Sequence, residues 1–325
     1  MRFRLSYITR DFLYHDGTGN FEIRVSNPDK GIEVVYKNRP KDGELVPHAE
    51  RAGYEPYDGI IAAVCEVNLT ERLHNDAVSS GVLSQKKGAV QKVFDDMNDA
   101  IQRTVRLVRW KTYAIGGPNT IRTPDSFEWS VDGSNWKFVA GSGNPTTGIT
   151  LIQLDRYWSN ADAGFLQAEF MKGTDEPLGH ELLREADENR RNNPRSSLIL
   201  GVAAAEVGFK QFASKSLPDT AWLLELPSPP LVEMLQKFPW EQLKLRINGK
   251  IPAVPDSIIN ELKKGVNLRN TIIHSGVPSI RPETLDSLLD TVKDLLYFLD
   301  VLHGSGQDWP LNFIGKDVVK PFKKD

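Results

Sequence analysis

Between residues 282 and 303, Leu285, Leu288, Leu289, Val292, Leu295, Leu296, Leu299 and Leu302 recur at helical spacing. That spacing puts all eight on one broad side of an α-helix. Gly304, directly after His303, supplies the C-terminal stop. An apolar face this wide must be covered by other helices, and the sequence before it offers them. The stretch 198–213 is apolar on one face and rich in Ala, a strong helix former. Residues 229–238 read as a short helix and 255–275 as a longer one. About four helices of these lengths build a helical bundle.

The first half has a different character. Segments 2–8, 21–26, 31–37 and 59–69 read as strands, separated by clusters of Gly, Asn, Asp and Pro. In SFEWSVDGSNWKFVAG, Trp129 and Val131 alternate with polar residues before Asp132 and Gly133, which predicts a hairpin. One helix, about 85–108, interrupts this pattern, with Val90, Val93, Phe94, Met97, Ile101, Val105 and Val108 on its core stripe. Asp95, Asp96 and Asp99 lie mostly off that stripe and read as a solvated face. GSGNPTTG at 141–148 fits neither phosphate-loop spacing. The sequence changes character over 141–195, ending in the polar run EADENRRNNPR, and a boundary near 175 is expected. The expected class is α+β: a strand-rich mixed α/β domain over 1–175, then an all-α helical bundle over 176–325.

Composition narrows the functional classes. A length of 325 residues with 40% hydrophobic side chains is enough for two domains with buried cores. The formal net charge of -3 supplies no global basic field, so any nucleic-acid contact must come from a local patch. Cys65, the only cysteine, excludes intrachain disulfides and Cys-rich zinc sites. The opening MRFRLSYITRDF has no apolar core of signal-peptide length, and no run of ~18 apolar residues occurs, so a cytoplasmic protein without membrane partners is expected.

Two charges break the helical patterns. Leu262, Val266, Arg269 and Ile273 fall on one helix face, so Arg269 stands in an apolar stripe. Beside it runs a polar stripe of Lys263, Asn267, Asn270 and His274, in which Asn270 and His274 are neighbours one turn apart. On the Ala-rich helix, Ile199, Val202, Glu206, Phe209 and Ala213 form a stripe whose one charge is Glu206. A carboxylate and a guanidinium facing a core each need a partner, which predicts that Glu206 holds Arg269 across a helix interface. Read structurally, the pair aligns two helices. Read functionally, Glu206 orients an Arg whose other donors meet a phosphate. His274 is open in the same way: a helix-end histidine serving the structure, or a proton carrier near neutral pH. With Arg269 beside it, His274 would be a minimal kit for metal-free phosphodiester cleavage in RNA. The imidazole would take the 2′-hydroxyl proton or protonate the leaving 5′-oxygen, and Arg269 would stabilise charge on the phosphoryl oxygens. Asn270 would orient the imidazole or bind phosphate. Lys263, Asn267, Arg190, Arg191 and Arg195 are candidates to bind the RNA backbone, although the arginine run also reads as a solvated lead-in to the next helix.

The segment from about 180 to 304 resembles a HEPN domain, an all-α family with many metal-independent ribonucleases of toxin–antitoxin, CRISPR-associated and phage-defence systems. The family motif is an Arg, usually followed by a polar residue, with four to six residues between that Arg and a His; RNTIIH fits the shortest form, matching Arg269, Asn270 and His274. LILGVAAAEVGFKQFA looks like the Glu-bearing, Ala-rich helix of the Apea-like branch, which gives Glu206 a supporting role. The resemblance implies an endoribonuclease that leaves a 2′,3′-cyclic phosphate without a metal or other cofactor. It also implies a homodimer in which two motifs face each other and the second His supplies the other proton step. Single-stranded or loop RNA is the expected substrate, because its backbone can reach in-line geometry. An antiviral, abortive-infection or toxin role follows by analogy, with an antitoxin or phage-derived trigger as a further partner and residues 1–175 as sensor or restraint. For Trp129, Trp136 and Trp158, core packing is the expectation over a binding surface. Two other readings stay open: a non-catalytic HEPN module for dimerisation or partner binding, and a HEPN protein whose His274 site is modified by a nucleotidyltransferase.

Overall fold

Row-by-row pairing of alternating side chains organises the first part of the chain. A computed structural model describes residues 1–10, 22–38, 58–86, 88–112, 124–141, 160–226, 230–243, 253–275 and 279–303. Its strands β1 (Arg2–Arg10), β2 (Glu22–Asn27), β3 (Ile32–Asn38), β4 (Asp58–Glu66), β5 (Ser126–Ser130) and β6 (Lys137–Phe138) form one antiparallel sheet of six, in the order β2-β3-β4-β1-β5-β6. The register sets Val25, Val34, Ala63, Leu5 and Phe127 side by side across five strands, all of them buried. Helix α2 (Gly88–Lys111), which follows α1 (Glu71–Ser80), packs on that row: the Phe94 ring meets Phe127 edge-on at 5.3 Å, and the Tyr7 hydroxyl donates to Asn98. Val90, Val93, Met97, Ile101, Val105 and Val108 are buried as their spacing predicts. Off the stripe, Asp95 accepts from Gln91, and Asp96 binds Lys30 at 2.8 Å and Lys92 at 2.9 Å, as befits a solvated face.

The next row of the sheet runs from Arg24 through buried Val35 and Ala62 to Ser6 and Ser126. Arg24 on β2 is exposed, whereas Ser6 and Ser126 are buried and their hydroxyls lie 2.6 Å apart. Two positions along, Arg4 Nε donates to Glu128 at 2.9 Å, both residues being buried, and the Arg4 guanidinium lies 4.3 Å from the Trp136 ring centre. All five residues of β5 are therefore buried, and the hairpin lacks the one-sided exposure that its alternation predicts. Val131 lies past the strand and is exposed, while Trp129 belongs to the core. The outer edge of the sheet at β2 is covered by α3 (Asn160–Met171), where the Gln167 side-chain amide bonds both the N–H and the carbonyl of Ser26. Satisfying edge groups this way removes a template for pairing with another chain.

By Cα proximity the chain divides into Met1–Glu176 and Pro177–Asp325. Among the described residues every strand lies in the first unit, and the class is α+β. The second holds α4 (Leu178–Asn189), α5 (Pro194–Ser216), a 3-10 helix (Pro218–Glu225), α6 (Leu231–Lys237), a short 3-10 turn (Trp240–Leu243), α7 (Asp256–Ser275) and α8 (Pro282–His303). The Asn193 side chain caps α5 by accepting from Ser196 N–H, with Pro194 in the first turn. Helix α5 is the centre of this unit and packs on α4, α7 and α8. All eight apolar residues anticipated on α8 are buried. Leu296 reaches into room left by Gly179 and Gly208, which lets α4, α5 and α8 approach closely. Phe209, Phe212, Phe238, Trp240 and Phe298 form a continuous aromatic cluster beneath α5.

Helices α1, α3 and α4 and the 3-10 helix after α5 go beyond the elements read from sequence. Helix α4 buries Gly179, His180, Arg184 and Ala186, two small residues and two polar ones, so its pattern reads as a polar boundary. The run EADENRRNNPR is the end of α4 and the tight turn into α5. Among the described residues no helix is long and apolar enough to cross a membrane. Trp158 and all of 141–148 except Gly141 lie outside the described residues.

Candidate functional site

The site begins with the rotation of α7 about its axis. Its buried line is Ile258, Leu262, Gly265 and Ile272, and Arg269 occupies the same line between the last two. The stripe expected from sequence is displaced by one residue: Ile273 is 54% exposed, whereas Ile272 is 8% exposed. Gly265 explains the shift, because Leu288 of α8 fills the room where its side chain would be, with Cδ1 2.5 Å and Cδ2 2.9 Å from an ideal Cβ. The glycine is thus a full member of the packed face without being visibly apolar.

Arg269 therefore points inward and meets α5. Its Nη2 donates to Glu206 Oε1 at 2.9 Å, with the two side chains 18% and 9% exposed. The contact inferred from two misplaced charges is present. Arg269 Nε is buried without a hydrogen-bond acceptor among the described residues. Burial pushes the Glu206 carboxyl above its ordinary range, against the opposing pull of Arg269 and then of Lys210. Lys210 is a second buried charge on α5, and its Nζ donates to the Leu226 carbonyl. The stripe read from sequence did not include it, although its position one turn from Glu206 was a usable signal.

Asn270 and His274 sit on the other side of α7, exposed, in its last turns. Neither makes a side-chain hydrogen bond or ion pair among the described residues. Lys263 and Asn267 are exposed on the same row, where the Asn267 carbonyl accepts from the Thr271 hydroxyl. The structure thus joins Arg269 to Glu206 and leaves His274 apart from both. Of the arginine run, Arg190 lies 3.6 Å from Asp187 and 3.4 Å from Asp286, so its charge is largely answered within the fold. Arg191 is exposed at the turn between α4 and α5, and Arg195 is exposed in the first turn of α5. Asp187 itself is held above its usual range by burial, against the pull of Arg190 and Lys293.

A second polar contact, unforeseen from sequence, ties α4 to α8: His180 Nε2 and Asp300 Oδ2 are 2.9 Å apart, and the His180 ring lies 4.5 Å from that of Tyr297. His180 is buried and reads as a helix clasp. Among the described residues no group of three His, Cys, Asp or Glu side chains is placed to hold a metal ion. Comparison of the chain with protein-family models, curated proteins and solved structures found no match.

Proposed function

We propose that the second unit is a HEPN-like endoribonuclease with its site at Arg269, Asn270 and His274. The observation that carries the reading is the buried Glu206–Arg269 ion pair: a guanidinium fixed inside a helix interface, on the helix whose last turns carry the exposed Asn270 and His274. A carboxylate on one Nη fixes the plane of the guanidinium and leaves its other edge for a phosphate. In the proposed reaction His274 takes the proton of a ribose 2′-hydroxyl, the 2′-oxygen attacks phosphorus, and the 5′-oxygen leaves with a proton from a second imidazole. The products are a 2′,3′-cyclic phosphate and a 5′-hydroxyl. Arg269 stabilises the charge that builds on the phosphoryl oxygens, and Asn270 orients the phosphate or the imidazole.

Within one chain His274 is separated from Arg269, which favours a homodimer whose second copy completes the site. Ile273, one residue from His274, and Ile199 on α5 are exposed apolar side chains that suit such a seam. Lys263, Asn267, Arg191 and Arg195 then line the approach of a single-stranded RNA. In this reading the cleavage halts growth of the host cell, as in phage defence or a toxin system, and the first unit senses the trigger or restrains the nuclease.

The test is cleavage of end-labelled RNA by the purified protein in EDTA, comparing the wild type with Arg269→Ala and His274→Ala. Cutting by the wild type alone, with cyclic phosphate ends, is the expected result. No cutting by any form under conditions where the protein dimerises would favour a dimerisation module in which Glu206 and Arg269 merely clasp two helices. Equal cutting by all three refutes the site.

A further inference from the structure

Arg269 is one of two cations acting on Glu206. Lys210 lies one turn beyond Glu206 on α5, so the two side chains stand on the same side of that helix. Lys210 is 9% exposed and Glu206 7%, so neither charge is screened by bulk water. The Lys210 ammonium is tethered: it donates to the carbonyl of Leu226, the residue that ends the 3-10 helix Pro218–Glu225. Helix α7 brings the Arg269 guanidinium to Glu206 from its own side. A single buried carboxylate is thus bonded to the Arg269 guanidinium of α7 and stands one turn from a buried Lys on its own helix. Among the described residues no direct ion pair joins Glu206 to Lys210. Removing one cation leaves the carboxylate half-compensated in a site that favours its neutral form.

We propose that Lys210 is a positioning residue for the Arg269 site: pinned by the Leu226 carbonyl, it supplies the charge that keeps Glu206 ionised and so keeps Glu206 an acceptor for Arg269. Its catalytic meaning rests on the nuclease reading above; its electrostatic effect does not. Arg269 on α7 and Lys210 on α5 are the charged groups that act on Glu206, and both oppose the effect of burial. Loss of Lys210 therefore protonates Glu206 more readily. A protonated Glu206 carries no charge to hold the guanidinium plane, so Arg269 gains alternative orientations. The same tether makes the 3-10 segment part of the site, since the Leu226 carbonyl fixes where the ammonium stands.

The experiment is a pH titration of the Glu206 carboxyl carbon by NMR, with its signal assigned through Glu206→Gln, in the full-length protein. Lys210→Gln keeps a donor near Leu226 but removes the charge, and Lys210→Met keeps only the apolar stem. Both should raise the Glu206 midpoint by about one pH unit. Lys210→Arg should return it to within roughly 0.3 units of the wild type. An unmoved midpoint in the folded neutral variants overturns the proposal, whatever the RNA assay gives. If the wild type cleaves RNA, the acid limb of its pH profile should move with the titration. A moved midpoint in a protein that never cuts RNA supports the role of Lys210 at Glu206 and removes the nuclease reading alone.

Discussion

Cutting the Glu206–Arg269 pair from both sides gives the most searching test of the second unit. The perturbation is a cycle of Glu206→Ala, Arg269→Ala and the double variant. At an N···O distance of 2.9 Å the charge centres are about 4 Å apart, which is worth ~4 kcal/mol of Coulomb attraction at an effective dielectric of about 20. Desolvation offsets much of it, since burial holds the Glu206 carboxyl above its ordinary range in spite of two cations. What survives is the net value of a charge-assisted hydrogen bond, about 1.5–3 kcal/mol. The residual access of solvent to Arg269 favours the lower half of that range, so a coupling energy of about 2 kcal/mol is expected. The single variants should differ. Glu206→Ala strands a guanidinium whose Nε already lacks an acceptor. Arg269→Ala leaves Glu206 with Lys210 still beside it, and should cost less. Urea unfolding of the four proteins near neutral pH reads these quantities. A coupling below about 0.5 kcal/mol would put the pair among ordinary surface ion pairs and refute the claim that it organises the helix interface. The pH dependence gives a second check with a defined sign. Because the folded carboxyl binds its proton more tightly than the unfolded one, its contribution is present at low pH and is lost as pH rises through the folded value. Glu206→Gln, which has nothing to titrate, should therefore gain on the wild type as pH rises from about 4.

Two further outcomes follow from packing and charge in the same unit. Burial, reinforced by Asp290 against the pull of Lys293, pushes the Asp294 carboxyl from 3.8 up to about 7. The folded state consequently loses stability as pH rises through that range, and Asp294→Asn should be more stable than the wild type by roughly 1–3 kcal/mol at about pH 8. Urea midpoints should converge below about pH 4; equal midpoints at the higher pH would contradict the burial of that carboxyl. Gly179→Ala should destabilise by about 1–3 kcal/mol, because its Cβ would come within 2.9 Å of Gly208 Cα and 3.1 Å of the Ala204 carbonyl oxygen, backbone atoms that cannot swing aside. Gly208→Ala overlaps chiefly the Leu296 side chain, which can turn away, so the loss should be smaller; the reverse order in chemical denaturation would refute the packing account.

Those parts of the fold in which one physical signal dominates are legible in the residues alone. The broad leucine face of α8, with Pro at its start and Gly after its end, left one solution, and all eight apolar residues are buried as expected. Strands β1 to β4 were equally legible from β-branched and aromatic runs broken by turn residues. Glu206 and Arg269 could be paired across helices because a charge in an apolar stripe must find its opposite. Pattern failed where burial was polar or small. Helix α4 buries His180 and Arg184 beside Gly179 while Leu178 is exposed, so its leucines do not mark the buried face. Strand β5 buries Ser126, Glu128 and Ser130 through bonds to neighbouring strands, which composition cannot reveal.

Only packing could choose between two lines on α7, and that choice fixed which of its apolar side chains meets solvent. On a helix, the line through Val266 and Ile273 and the line through Gly265 and Ile272 lie one residue apart and have the same spacing. Hydrophobicity favours the first line, since valine is apolar and glycine has no side chain to count. The packed helices chose the second, because Leu288 projects from α8 into the gap that only glycine leaves. That choice buries Ile272 and puts Ile273 in solvent, while Arg269, common to both lines, meets Glu206. Spacing can place residues on one helix face, but which face is buried depends on the shape of the neighbour that fills it.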